Sequence, residues 1–132
     1  MNVTADTNVL VRAIVADNPA QAQSAQASLR DAKLVAIPSP VLCELVWVLM
    51  RGYNVGRDDV AKVIRQLLAS SNVAVNQPAV KAGLAMLEAG GDFADGVIAY
   101  QGRWLGGETF VSFDKKATVL VAAQGGVAQL LT

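Results

Sequence analysis

The sequence contains no histidine and a single cysteine, Cys43. The first absence removes every mechanism that uses imidazole as base, acid or ligand, so serine–histidine hydrolases, histidine-based ribonucleases and most zinc enzymes are excluded. The second leaves no intrachain disulfide and no Cys-rich metal site. Charge is also scarce: charged residues make up 17% of the chain, against roughly 25% in an average soluble domain. Long apolar runs are missing too. The late charge-free stretch 117–132 contains Gly125-Gly126 and falls short of the ~20 apolar residues of a spanning helix. No basic segment opens the chain and Asp6 interrupts its first apolar run, so no secretory leader is read. The expectation is a cytoplasmic protein with no membrane partner.

Apolar residues, by contrast, are abundant at 53% of 132 residues, which excludes a disordered chain. The length suits one domain, expected over residues 1–132. The apolar surplus is compatible with burial against a partner chain. Eleven acids balance eleven bases. Asp6, Glu44, Asp92, Asp95 and Asp114 are candidates for one site; without them six acids face eleven bases, net +5. A basic body around an acidic pit suits a polyanionic substrate whose chemistry needs a cation.

Short apolar runs alternate with helical patterns, the signature of an α/β fold with a parallel sheet. Strands are expected at Met1–Ala5, Leu34–Ile37, Val73–Val75 and Thr109–Phe113, with a short edge strand at Val127–Leu131. Helices are expected at Thr7–Val15, from Asn18-Pro19 to Ala32, from Ser39-Pro40 to Arg51, at Asp58–Ser70, at Pro78–Ala89, from Asp92 to Leu105, and from Asp114 onward. Asn18-Pro19 and Ser39-Pro40 each offer an N-cap followed by an N1 proline.

Glu44 lies in Val41-Leu42-Cys43-Glu44-Leu45-Val46-Trp47-Val48-Leu49-Met50, a helix apolar on every side. A carboxylate buried there faces a penalty of several kcal/mol unless it is protonated, paired or metal-bound. A buried salt bridge or an exposed edge position would account for it structurally. Asp6 and Asp114 each follow a strand, where the crevice of an open parallel sheet lies. Helix capping is the structural explanation for either. Asp92 and Asp95, spaced i, i+3, share one face at a helix start, with Asp92 as N-cap and Asp95 as the functional member. The helix dipole favours their ionised forms. An all-oxygen ligand set selects Mg²⁺ or Mn²⁺ over zinc, and phosphoryl chemistry is its natural use.

Four segments in order carry a resemblance: Asp6-Thr7-Asn8-Val9-Leu10, the lone Glu44 in its apolar helix, Asp92-Phe93-Ala94-Asp95-Gly96-Val97-Ile98-Ala99, and Phe110-Val111-Ser112-Phe113-Asp114. Together they resemble a PIN-domain ribonuclease, specifically a VapC-type toxin of bacterial toxin–antitoxin pairs. The resemblance implies a Rossmann-like three-layer α/β/α sandwich with a short, mainly parallel central sheet. It implies a Mg²⁺- or Mn²⁺-dependent endoribonuclease acting on RNA. Asp6, Glu44, Asp95 and Asp114 would be catalytic, Asp6, Asp95 and Asp114 holding the metal and Glu44 orienting or deprotonating water. Thr7, Asn8, Ser112 and Asp92 would support them. A homodimer and a small antitoxin partner are also implied. Gly96 departs from the family, which commonly has a larger apolar residue there, and glycine in a helix costs about 1 kcal/mol relative to alanine. Arg12, Arg51, Lys115 and Lys116 are candidates to track the RNA backbone.

Two acidic α/β enzymes fail on their own motifs. A haloacid-dehalogenase-like phosphatase needs a second Asp two residues after the first, where Asn8 stands. A receiver domain needs an Asp after its third strand, where Asn76-Gln77 stand. The alternative from another class is a catalytically vestigial RNA- or partner-binding module.

Overall fold

The computed structural model describes residues 1–132. The chain forms two compact units, Met1–Asn76 and Gln77–Thr132.

The first unit runs β1 (Asn2–Thr4), α1 (Thr7–Val15), α2 (Pro19–Asp31), β2 (Leu34–Ala36), α3 (Ser39–Trp47), a π-helical turn (Val48–Gly52), α4 (Arg57–Ala69) and β3 (Val73–Ala74). The strands pair in parallel in the order β1-β2-β3, with Val3 opposite Val35 and Val35 opposite Val73. Parallel neighbours need long crossovers, and the helical segments between the strands supply them. Leu10 and Val11 from α1, Leu42, Leu45 and Val46 from α3, and Val60 and Ile64 from α4 are buried together with Val35 and Ile37.

The caps explain most helix starts. Asn18 accepts a hydrogen bond from Gln21 N–H at 3.1 Å, with Pro19 at the first helical position. Ser39 does not cap α3, contrary to the expectation. The Pro38 carbonyl already accepts from Val41 and Leu42 N–H, at 3.0 and 3.3 Å, so the helix starts one residue earlier and Ser39 is buried inside it. The expected helix to Arg51 also changes character: its last turn widens to π geometry over Val48–Gly52.

The second unit runs α5 (Gln77–Glu88), α6 (Phe93–Trp104), β4 (Thr109–Ser112), α7 (Lys115–Ala123) and β5 (Val127–Leu130). β4 and β5 are parallel, in register from Thr109–Val127 to Ser112–Leu130. The α/β class with parallel sheets and seven helices is thus as the sequence predicts. The strand pairs form two parallel ladders, of three and two strands, where one central sheet was expected.

Helices α5 and α6 meet at unusually close range. A β-carbon on Gly96 would run into the Ala82 carbonyl and stand 2.7 Å from Met86 Cγ. One on Gly83 would stand 2.7 Å from Phe93 Cε2. Gly96, read from sequence as a departure costing about 1 kcal/mol of helix propensity, is therefore what lets the two helices approach. Phe93 and Val97 from α6 and Val80, Met86 and Leu87 from α5 fill the core around this crossing.

Candidate functional site

The first constellation stands at the carboxyl end of β1. Asp6 is extended (φ −87°, ψ 171°) and caps α1, its Oδ1 accepting from Val9 N–H at 3.0 Å. Capping is thus its local structural role, and it occupies one carboxylate oxygen. Thr7, the first residue of α1, donates its hydroxyl to Glu44 Oε1 on α3. This bond joins residues 37 positions apart. Asp6, Thr7, Asn8, Val11, Val41, Glu44, Val48 and Tyr53 line an open cleft of about 490 Å³.

Glu44 is exposed, which corrects the expectation of a desolvated carboxylate. The helix that looked apolar all round buries Leu42, Leu45, Val46 and Leu49, while Glu44 and Trp47 face out, with Trp47 63% exposed. Sequence reasoning had no part for Tyr53. Its hydroxyl donates to Asp17 Oδ2 at 3.1 Å, and Asp17 pairs with Arg12 at 3.1 Å. Arg12 is accordingly engaged in an ion pair within the unit while its side chain stays partly exposed. The signal for Tyr53 was a solitary aromatic between Gly52 and Asn54, directly after the Glu44 helix.

The second constellation gathers the acids of α6 and α7. Asp92 caps α6, accepting from Ala94 N–H at 3.0 Å. Asp114 follows β4 and caps α7 through Oδ1, which accepts from Ala117 N–H at 3.1 Å. Ser112 Oγ accepts from the Asp114 N–H at 3.0 Å and so fixes the backbone that carries the carboxylate. Asp95 is half-buried in the first turn of α6. Burial pushes its carboxyl above the usual Asp range, and the charges of Asp92 and Asp114 push it further the same way. For Asp95 these effects outweigh the helix dipole expected to favour its ionised form. Lys115 and Lys116 are exposed directly after Asp114, and Arg51 is exposed at the end of its π turn.

The donors fit a hard divalent cation in kind: all are carboxylate or hydroxyl oxygens, and Asp6 and Asp114 each spend only Oδ1 on a cap. In neither unit do three acidic or thiol side chains gather into a metal-holding group. Mg²⁺ is suited to such sparse sets, because it keeps several waters and binds through one or two carboxylates plus substrate phosphates. The raised Asp95 carboxyl is the state that a nearby cation relieves.

A family model described as PIN domain matches residues 3–121, a span that contains all five of these acids. No curated protein matches the chain.

Proposed function

The chain belongs to the PIN domain family, and on that premise we propose that it is a Mg²⁺- or Mn²⁺-dependent endoribonuclease, the VapC-type toxin of a toxin–antitoxin pair. PIN domains are typically metal-dependent nucleases that bind Mg²⁺. The observation that carries the reading is the family match across 119 residues that include Asp6, Glu44, Asp95 and Asp114. Asp6, Asp95 and Asp114 hold the metal in this proposal, and Asp92 and Ser112 support Asp95 and Asp114. When bound, the metal lowers the pKa of coordinated water and stabilises charge on the phosphate. Glu44, held on one oxygen by the Thr7 hydroxyl, keeps its second oxygen for the attacking water and takes its proton. Asn8, beside them in the cleft, offers an amide to the same cluster or to a phosphate oxygen.

The partners in this reading are RNA, a small antitoxin and a second copy of the chain, at a cytoplasmic location. Exposed apolar side chains support protein partners: Ile98, Val111 and Val127, each more than half exposed, line a 390 Å³ cavity in the second unit. No helix is long and apolar enough to cross a membrane.

The test is incubation of the purified chain with single-stranded RNA in Mg²⁺ or Mn²⁺ and in excess chelator. Cleavage that appears only with the metal supports the reading. Intact RNA in every condition would refute it and favour the binding module.

A further inference from the structure

We propose that the cleft beside Asp6 and Glu44 contains a nucleobase subsite, in which the ring of Tyr53 stacks on a base of the RNA strand. The inference rests on the ribonuclease reading and goes beyond it by assigning a binding residue that the acids alone do not require.

The cleft has a mixed lining. Asp6, Thr7, Asn8 and Glu44 supply its polar groups, and Val11, Val41, Val48 and Tyr53 supply apolar surface interleaved with them. Its volume of about 490 Å³ falls within the roughly 300–1,000 Å³ of sites that take small organic ligands. A phosphate handled at the carboxylates brings its nucleoside with it, one sugar away. The aliphatic and aromatic side chains beside those carboxylates suit the flat face of a base and not its hydrogen-bonding edges. Every base has a π-face, so an aromatic ring there binds RNA with little sequence preference.

Tyr53 is also fixed in place before any ligand arrives. Its hydroxyl donates to Asp17, which Arg12 holds in turn, each at 3.1 Å. A pre-set ring loses less freedom on binding than a mobile one. The backbone gives an independent pointer. In an unbroken α-helix, nine residues would turn Tyr53 to about the opposite face from Glu44, at roughly 100° per residue. The π turn at Val48–Gly52 interrupts that rotation, and Tyr53 itself leaves helical geometry with φ −121° and ψ 4°. Tyr53 thereby shares the cleft with Glu44. Single π turns are frequent at functional sites.

The experiment compares wild type, Tyr53→Ala and Tyr53→Phe in two assays. The first is binding of a single-stranded oligoribonucleotide, and of an abasic strand of equal length, in chelator. The second is steady-state cleavage with Mn²⁺. Tyr53→Ala is expected to raise Kd and KM by about fivefold to a hundredfold, the range of one lost base stack, with kcat little changed. Tyr53→Phe keeps the ring and is expected to stay within about twofold of wild type, given that stacking needs only the π-face. The abasic strand is expected to bind wild type and Tyr53→Ala equally, which a purely structural role would not produce. If Tyr53→Ala fails to fold, Tyr53→Leu keeps an apolar side chain without a π-face and is expected to raise Kd for the normal strand alone. Equal Kd and KM in wild type and the ring variant, or equal losses on both strands, would overturn the subsite. Failure of the ribonuclease reading looks different: wild type then cleaves nothing, while the binding arm still decides on the stack.

Discussion

Asp6 and Asp114 each use one carboxylate oxygen to cap a helix and leave the other uncommitted. Asn caps a helix about as well as Asp, so Asp6→Asn and Asp114→Asn separate folding from chemistry. Each variant is expected to keep the wild-type circular dichroism spectrum and melting temperature. Each is also expected to lose more than about 100-fold in metal-dependent cleavage, since even outer-shell changes cost 10–100-fold. Asp95 allows a different test. Its carboxyl is raised by burial first, then by Asp92 and Asp114, so the folded chain holds the Asp95 proton more tightly than the unfolded chain. That cost is absent at pH below the ordinary Asp value and fully present once pH exceeds the folded value. Asp95→Asn is therefore expected to raise the metal-free melting temperature at pH 7, with the gain fading as pH falls below the ordinary range. A melting temperature at pH 7 unchanged or lowered by the substitution would contradict this account.

Among the elements, the α5–α6 crossing shows how a residue that weakens a helix alone can strengthen a helix pair. The Gly96 α-carbon stands where the Ala82 carbonyl leaves no room for a methyl group. Overpacking a close-fitted core costs typically 1–3 kcal/mol, so Gly96→Ala is expected to lower stability by about that amount despite alanine's better helix propensity. Chemical denaturation reads it directly, and a stabilised variant would show that the helices part easily. The start of α3 makes the same point on a smaller scale. Ser39-Pro40 reads as a cap followed by proline, yet the Pro38 carbonyl closes the first turn and displaces the cap by one residue. The apolar run from Val41 to Met50 offered no face to choose from sequence. Packing of Leu42, Leu45, Val46 and Leu49 chose one, and Glu44 came out on the other side.

For the molecule as a whole, the proposed metal binding would link function to stability. A cation bound only by the folded chain stabilises it by mass action. Millimolar Mn²⁺ is expected to raise the melting temperature of wild type, and less so that of Asp95→Asn, measured against the same chains in chelator. Equal shifts in both would remove Asp95 from the metal set. The sequence by itself determined what short-range chemistry controls. The missing imidazole excluded histidine as base, acid or metal ligand, and apolar periodicity with cap residues located every strand and every helix start to within a residue or two, as at Thr7–Val15. These features depend on neighbours within about one turn, which a linear reading sees. Contacts between distant residues decided the rest: the Thr7–Glu44 bond, the strand pairing in two ladders, the close approach at Gly96, and the placement of Tyr53 beside Glu44. Each of these is set by which surfaces meet once the chain is compact, and spacing along the chain does not carry that information.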